Sequence, residues 1–467
     1  MITFKDVSFH YENTEDRMAD KGIRDIHMQI RSGECILLCG PSGCGKTTLL
    51  KAVNGLIPQF TPGHMSGKVQ IDGVDIKEMP LYELSKQVSS VFQNPKSQFF
   101  NTDVESEIVY SLENQGLPVK EIDERLEQTI KALHLENLRH RSMFELSGGE
   151  KQRIAFAGAF ISDAPVIVLD EPSANLDIKA TSDIRNILEK MKGQGKTILV
   201  AEHRIAYLKG LVDTVYYIDG GRICGKYPAE EFYALSDEKR RAMGLRRLTE
   251  IETKFHIPSM KVSAGEIVLK AEKVTLSHKD HIVQAGLCFE GRAGEIVGIV
   301  GDNGVGKTTF LRAIGGLDRI KRGRIFMFGR AAGERQRRKR CGMVMQDVNH
   351  QLFTDRVEKE CMLGNPGVRR EQVMKILEEM NLLSEQNVHP QSLSGGQKQR
   401  LAISAAYAAG KQILLMDEPT SGLDYRSMLA VGKVLKGLAD KGVLILVVTH
   451  DKEFIETVCD RLFSMEK

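Results

Sequence analysis

The sequence lacks several features that would each indicate a particular class of protein. No run of about 18 apolar residues occurs, so no membrane-spanning helix is predicted. The first residues carry no signal-peptide pattern. The eight cysteines include no C-x-x-C pair, which excludes the usual zinc-binding spacing and favours reduced thiols. The formal net charge of +3 is too small to indicate nucleic-acid binding by itself.

What the sequence does contain is a glycine-rich loop between an apolar strand and a helix. The apolar run Cys35–Cys39 predicts a buried strand, and Leu49, Leu50 and Val53 follow the loop at helical spacing. Glycines let successive backbone N–H groups point at one anion, so this is a phosphate-binding pattern. Its lysine can reach the β- and γ-phosphates of a nucleotide, and its threonine hydroxyl can hold Mg²⁺. The predicted nucleotide contacts in this loop are Gly40, Pro41, Ser42, Gly43, Cys44, Gly45, Lys46, Thr47 and Thr48.

The same loop pattern recurs in the second half, after the apolar strand Ile296–Val300. Two chance occurrences are far rarer than one, so we interpret the chain as a duplicated nucleotide-binding domain. We place the first domain at residues 1–230, a linker at 231–265 and the second domain at 266–467. The charge run at 237–247 predicts a solvated helix face in that linker. The predicted nucleotide contacts in the second loop are Gly301, Asp302, Asn303, Gly304, Val305, Gly306, Lys307, Thr308 and Thr309.

The segment before the first loop offers one aromatic candidate. Residues 2–9 alternate between apolar and polar side chains, which predicts an edge strand. Tyr11 follows and could stack on a purine base, the alternative being an exposed turn tyrosine. The corresponding residue of the second half is His278, so stacking there is expected to be weaker.

Polar side chains follow three apolar strands of the first half, where each strand ends. One apolar run ends at Asp170 and Glu171, and two others end at Gln93 and His203. Because the carboxyl ends of parallel strands meet at one edge of a sheet, we expect these side chains to lie together. Asp170 is expected to hold Mg²⁺ through water, and Glu171 to accept a proton from an attacking water. A glutamine or a histidine alone would carry little information here.

One helix start has two competing explanations. Ser147, Gly148 and Gly149 open a helix, and Ser147 with Glu150 fits a capping box, which is a structural role. The two glycines are not needed for a cap, and they fit a phosphate that approaches the backbone closely.

These positions recur in the second half. From the glycine-opened helix onward the offset between the halves is constant at 247 residues, as between Ser147 and Ser394. The corresponding candidates in the second half are Gln346, Ser394, Gly395, Gly396, Asp417, Glu418 and His450.

Taken together and in this order, the motifs resemble those of the ATP-binding cassette family. The resemblance implies an α/β fold of two tandem P-loop domains, each with a mainly parallel core sheet, an antiparallel β subdomain and a helical signature subdomain. It implies ATP and Mg²⁺ as cofactors, and a head-to-tail pairing of the two cassettes within the chain. The catalytic groups that it implies are Glu171, His203, Glu418 and His450. The Mg²⁺ contacts that it implies are Thr47, Gln93, Asp170, Thr308, Gln346 and Asp417.

Further motifs narrow the resemblance. The sequences Asn94-Pro95-x-x-Gln98-x-Phe100, Gln351-Leu352-Phe353 and Ala201-Glu202-His203-Arg204 are similar to those of cobalt-type, energy-coupling-factor importers. This implies an ATP-hydrolysing subunit, peripheral at the cytoplasmic face of the cell membrane, that energises uptake of a vitamin, a metal ion or a similar small molecule. Its implied partners are a transmembrane coupling subunit and a substrate-specific membrane subunit.

The apolar pairs after Gln93 and Gln346 are candidates for contact with such a partner. We expect at least one residue of each pair to pack onto its own domain and the other to line a docking groove, the pairs being Phe99 with Phe100 and Leu352 with Phe353.

An alternative function remains open. A soluble double-cassette ATPase acting on ribosomes or nucleic acid resembles this chain in layout, but such proteins usually carry a longer, strongly charged helical linker. A DNA-repair double cassette would carry zinc-spaced cysteines. We therefore expect membrane subunits as partners, and not nucleic acid.

Overall fold

The computed structural model describes residues 1–12, 22–174, 176–249, 265–278, 281–365 and 367–465, apart from the side chains of Lys96 and His278. It divides into two compact units, Met1–Glu250 and Ile251–Lys467. The division falls inside the segment predicted as a linker, and each unit is described by itself below.

The first unit contains ten strands and eight α-helices among its described residues. The strands are β1 (Ile2–Tyr11), β2 (Gly22–Ile30), β3 (Cys35–Cys39), β4 (Gly63–Ile71), β5 (Val74–Asp75), β6 (Val88–Val91), β7 (Val166–Asp170), β8 (Thr197–Ala201), β9 (Thr214–Asp219) and β10 (Arg222–Pro228). The helices are α1 (Lys46–Val53), α2 (Leu81–Gln87), α3 (Val104–Asn114), α4 (Val119–Leu133), α5 (Gly148–Ile161), α6 (Ile178–Gly193), α7 (Ala229–Tyr233) and α8 (Asp237–Ala242). Short 3₁₀ helices occupy Pro95–Ser97, Met143–Glu145 and Ala206–Leu208.

Two sheets organise this unit. Strands β9, β3, β8, β7 and β6 run parallel in that order, and β10 adds an antiparallel edge beside β9. The three central strands, β3, β8 and β7, are buried and almost entirely apolar, as is usual in parallel sheets that helices cover. The second sheet is antiparallel, in the order β2-β1-β4-β5. Helices α3, α4 and α5 pack on one another around a shared apolar core.

The N-terminal strand differs from its prediction as an edge strand. Strand β1 lies between β2 and β4, paired on both sides. Alternation predicts that one face of a strand is buried, and Phe4 and Phe9 of β1 are indeed buried. It does not show whether the strand pairs with one neighbouring strand or with two.

The second unit repeats this architecture. Its described strands are β11 (Ile267–His278), β12 (His281–Arg292), β13 (Ile296–Val300), β14 (Arg322–Met327), β15 (Arg330–Ala331), β16 (Cys341–Val344), β17 (Ile413–Asp417), β18 (Leu444–Val448) and β19 (Arg461–Ser464). Its described helices are α9 (Lys307–Ile314), α10 (Glu334–Arg340), α11 (Val357–Met362), α12 (Arg370–Glu379), α13 (Gly395–Ala408), α14 (Tyr425–Asp440) and α15 (Lys452–Val458). Short 3₁₀ helices occupy Val348–Gln351, Leu383–Glu385 and Pro390–Ser392.

The second unit's core sheet is parallel throughout, in the order β16-β17-β18-β13-β19. An antiparallel sheet, β12-β11-β14-β15, and the helices α11, α12 and α13 complete it. The predicted fold class is confirmed, since each unit has a mainly parallel core sheet, an antiparallel sheet and a helical layer. No helix in the described ranges has both the length and the apolar content needed to cross a bilayer.

The segment after residue 230 departs from the prediction of a solvated helix face at Arg240 and Arg246, which are both buried. Most of α8 is exposed, but Arg240 is buried. Its Nε donates to Asp237 at 2.9 Å and its Nη1 to the Leu245 carbonyl at 2.7 Å. An arginine can pack its hydrocarbon stem when its guanidinium is satisfied in this way. Leu245 and Leu248 join the core of the first unit, so its fold continues past residue 230.

Candidate active site

The glycine-rich loop of each unit lies between a core strand and the helix that follows it. Gly40 has φ 149°, and a Cβ there would lie 2.0 Å from the Ile218 carbonyl oxygen, so only glycine fits. Gly301 is equivalent, with φ 151° and the Met465 carbonyl oxygen 2.3 Å away. Each loop therefore needs glycine at this point and leads directly into the start of a helix, a combination that suits an anion.

The lysine of each loop bends back over the loop itself. Lys46 Nζ donates to the Gly40 and Pro41 carbonyls, both at 2.9 Å. Lys307 Nζ donates to the carbonyls of Gly301 at 2.8 Å and Asp302 at 3.0 Å. The ammonium is thus held at the mouth of the loop, where it can exchange these carbonyls for phosphate oxygens.

A threonine–aspartate pair joins each loop to the end of a strand two places away in the core sheet, β7 in the first unit and β17 in the second. Thr47 Oγ1 donates to Asp170 at 3.0 Å, and Thr308 Oγ1 donates to Asp417 at 2.9 Å. Burial and then the charge of Glu171 raise the pKa of Asp170 to about 6, and burial raises the pKa of Asp417. A carboxylate that burial disfavours becomes favourable beside a divalent cation, and hydroxyl and carboxylate oxygens are the ligands that Mg²⁺ prefers. These oxygens fit the predicted Mg²⁺ site.

In the first unit the predicted base contacts both other strand-end residues. Gln93 Nε2 donates to Glu171 Oε2 at 2.7 Å, and His203 Nε2 lies 3.3 Å from Glu171 Oε1. His203 Nε2 also lies 3.5 Å from the Ser42 hydroxyl of the loop. The structure therefore brings together the residues that sequence analysis placed at the ends of three strands.

The second unit pairs its base and histidine less closely. His450 Nε2 lies 3.8 Å from Glu418 Oε1 and 3.1 Å from Asn303 Oδ1 of the loop. Glu418 Oε2 accepts from the Thr449 hydroxyl at 3.1 Å and from the His450 N–H at 3.4 Å.

Both glutamates share an unusual backbone conformation. Glu171 has φ 45° and Glu418 has φ 48°, in the left-handed region that side chains other than glycine, asparagine and aspartate seldom adopt. Such strain costs about 1–3 kcal/mol and clusters at functional sites. Its presence at the same position of both units supports a functional role for the two glutamates.

The serine-glycine-glycine motifs start helices α5 and α13. Ser147 and Ser394 are N-caps with complete capping boxes, so the structural explanation holds for both serines. Packing also accounts for one glycine, because a Cβ on Gly396 would lie 2.9 Å from the Ser427 Cβ. Gly148 and Gly395 have more open space, the nearest atom to a Cβ on Gly395 being 3.7 Å away, so ligand approach stays a prediction for them.

Tyr11 lies beside the first loop. Its hydroxyl is 2.8 Å from Thr48 Oγ1, and its half-buried ring packs edge-on against Phe9. The alternative of an exposed turn tyrosine is therefore wrong, while purine stacking stays a prediction. The side chain of His278, its predicted counterpart, lies outside the described residues.

Sequence analysis named Gln98 and Gln351 only as parts of motifs and missed that they brace the loop after each strand-end glutamine. Gln98 accepts from the Phe92 N–H at 3.2 Å and donates to the Ser90 carbonyl at 3.0 Å. Gln351 repeats both bonds in the second unit, to the Met345 N–H at 2.8 Å and the Met343 carbonyl at 2.9 Å. A detectable signal existed, because both glutamines lie five residues after Gln93 or Gln346.

The apolar pairs on these loops divide as expected. Phe99 packs on the core of the first unit, and Leu352 is buried in that of the second. Phe100 and Phe353 are 73% and 75% exposed.

The loops that carry these two rings are held by one glutamate each. Glu107 accepts from the Phe100 and Asn101 N–H groups. Glu360 accepts from the Phe353 and Thr354 N–H groups. Each unit therefore presents one exposed phenyl ring on a braced loop.

Comparison with known proteins agrees with this geometry. A family model described as ABC transporter matches residues 23–174 and 285–421, one stretch in each unit. A Treponema denticola protein, named provisionally as an ABC transporter ATP-binding protein, is 44% identical over 100% of this chain and 95% of its own length. A Bacillus subtilis protein, named provisionally as the HMP/thiamine import ATP-binding protein YkoD, is 27% identical over 100% of this chain and 90% of its own. The solved structure of an RNase-L inhibitor shares the fold, with a TM-score of 0.64 at 24% identity, covering 98% of this chain and 87% of that one.

Proposed function

Because the chain belongs to the ABC transporter family, we propose that it is the ATP-hydrolysing subunit of an import system. It would energise uptake of a vitamin, metal ion or similar small molecule through separate membrane subunits. The observation that carries the ATPase part is the gathering, in each unit, of a loop lysine, a threonine–aspartate pair and a glutamate–histidine pair. The full-length likeness to a protein named for HMP/thiamine import supports the transport part.

The proposed mechanism assigns the same roles in both units. Bound Mg²⁺ supplies positive charge that offsets the charge developing on the phosphates. Thr47 and Asp170 would hold it in the first unit, and Lys46 would bind the phosphates. Glu171 would accept the proton of the attacking water, while His203 orients that carboxylate and binds the γ-phosphate. In the second unit the corresponding residues are Thr308, Asp417, Lys307, Glu418 and His450.

The remaining predicted contacts complete the proposal. Gln93 and Gln346 would sense the γ-phosphate and Mg²⁺, and pairing of the two cassettes within the chain belongs to the same proposal. Hydrolysis would then be coupled to transport through a membrane partner that docks beside these glutamines. The exposed Phe100 and Phe353 are the proposed anchors, since aromatic side chains dominate the binding energy of many interfaces.

Pull-down from detergent-solubilised membranes tests the partner assignment. The purified chain is expected to hydrolyse MgATP and to recover integral membrane proteins. Phe100→Ala with Phe353→Ala should weaken that recovery by on the order of a few kcal/mol in binding, because two aromatic anchors that docking would bury are lost. Phe60→Ala is the matched control, being a 63% exposed phenylalanine on the turn after α1 and outside these loops.

Two outcomes would contradict this proposal. Undiminished recovery by the folded double variant would remove the docking role from the two rings. Recovery of ribosomal particles or nucleic acid, without membrane proteins, would favour the soluble double-cassette alternative.

A further inference from the structure

The first unit contains a buried carboxylate that the proposed mechanism does not use. Glu202 directly precedes His203 and is only 2% exposed. It accepts hydrogen bonds from the Ser173 hydroxyl, the His203 N–H and the Arg204 N–H, each at 3.0 Å, and from the Ser173 N–H at 3.4 Å. Glu202 therefore ties the loop after β7 to the loop after β8.

The second unit makes the same connection from a different position. Register places Thr449 opposite Glu202, Thr420 opposite Ser173 and Asp451 opposite Arg204. Thr420 Oγ1 donates to Asp451 Oδ2 at 2.7 Å, and both side chains are buried. The bridging carboxylate thus comes from the residue after the histidine in the second unit and from the residue before it in the first.

Local structure supports this exchange of positions. Asp451 also caps helix α15, accepting from the Phe454 N–H at 3.1 Å. In the first unit, where Arg204 replaces the aspartate, only the short 3₁₀ helix Ala206–Leu208 follows and its N-cap makes no side-chain hydrogen bond. In the second unit the carboxylate after the histidine both caps a helix and bonds the threonine. In the first unit the carboxylate before the histidine bonds the serine but caps no helix.

We propose that Glu202 is a positioning residue for ATP hydrolysis in the first unit. It precedes His203 and links the two strand-end loops, as Asp451, which follows His450, does in the second unit. The inference rests on the proposed ATPase function. Ser173 lies two residues after Glu171, so a carboxylate that holds Ser173 and the His203 backbone fixes both ends of the Glu171–His203 contact at 3.3 Å. Misplacing a reacting group by about 1 Å can cost on the order of 10²-fold in rate.

The hydrogen bonds of Glu202 allow variants that keep most of the bridge but remove the carboxylate charge. Three of the four bonds, those at 3.0 Å, go to Oε1. The carbonyl oxygen of a glutamine can accept all three, so Glu202→Gln removes the charge and leaves most of the bridge. Glu202→Thr matches the residue of the second unit but breaks the bridge. Adding Arg204→Asp then rebuilds it in the arrangement of the second unit.

Steady-state ATPase of the full chain tests the proposal. Glu202→Thr should lower kcat by about twofold if the second site works independently, and by up to ~10²-fold if the sites turn over together, with KM for MgATP little changed. Glu202→Gln and the double variant Glu202→Thr with Arg204→Asp should each recover most of kcat. Arg204→Asp alone is the matched control and should bring no gain.

The outcomes separate this inference from the proposed function. A wild-type chain without ATPase activity would overturn both. With an active wild type, an unchanged kcat in Glu202→Thr, or a double variant no better than Glu202→Thr, would overturn the positioning role alone. A Glu202→Gln variant as slow as a folded Glu202→Thr would also overturn it, because the charge and not the bridge would then matter.

Discussion

The two units hold the same candidate reacting groups but surround the proposed base differently. Glu171 lies near the buried carboxyl group of Glu202, and the charge of Glu171 helps to raise the pKa of that group. Glu418 accepts from the Thr449 hydroxyl at 3.1 Å, and a hydroxyl carries no charge. The duplicated domain has therefore kept the reacting side chains in register while exchanging the side chains that support them. Equal catalytic residues do not make the two sites electrostatically equal.

The largest expected effect comes from removing both bases. Glu171→Gln with Glu418→Gln should bind MgATP with near wild-type affinity but lose ATPase activity by ~10²–10⁴-fold, because a general base contributes about that factor. Steady-state hydrolysis and equilibrium nucleotide binding are the measurements. Near-normal turnover by a folded double variant would show that neither glutamate is the base.

Single substitutions examine whether the two sites differ in use. Both units retain the lysine, glutamine, aspartate, glutamate and histidine of the proposed mechanism, so we expect both to hydrolyse ATP. Glu171→Gln and Glu418→Gln should each impair transport in a reconstituted system. The reason is that the proposed cassette pair can reopen only when both sites have released their nucleotide. If Glu418→Gln transports normally while Glu171→Gln is inactive, the second site is degenerate and the comparison becomes one between an active and a silent site.

The residues that gather at the candidate site could be predicted from the sequence because each follows a feature that leaves a local signature. Buried parallel strands are continuous apolar runs, and a polar residue at the end of one is conspicuous, as at Asp170 and His203. The duplication added a second check, since both offsets and residue types repeat. The fold class came from the family resemblance that these motifs carry.

The supporting residues could not be predicted, because their partners are distant in sequence. Glu202 accepts a hydrogen bond from Ser173, which lies 29 residues earlier, and no local sequence pattern predicts that pair. The burial of Arg240 depends on a carbonyl that only the folded chain supplies. The packing need at Gly396 likewise comes from Ser427 on the following helix. Tertiary contacts of this kind fix the positions of the candidate site residues, whereas the ends of the strands determine which residues lie at the site.

The smallest expected effect concerns the charge that distinguishes the first site. Burial, followed by the charge of Glu171, raises the pKa of Glu202 from 4.5 to about 7. His203, Arg204 and Tyr207 are the other titratable or charged groups around it. Between these pH values the folded chain keeps a proton that the unfolded chain has released. Stability from this group therefore falls as pH rises from about 4.5 to 7, by on the order of 3 kcal/mol in total.

Glu202→Gln removes that titration, so its Tm relative to wild type should be higher at pH 8 than at pH 5. A change of 1 kcal/mol shifts Tm by about 2–4 °C in a domain of this size, so a difference of several degrees is expected. Thermal unfolding of the nucleotide-free chain in EDTA at the two pH values measures it, and Thr449→Val in the second unit is the control without a carboxylate. An equal Tm difference at both pH values would mean that Glu202 stays ionised when buried. The two sites would then differ in their hydrogen-bond partners but not in how their stability depends on pH.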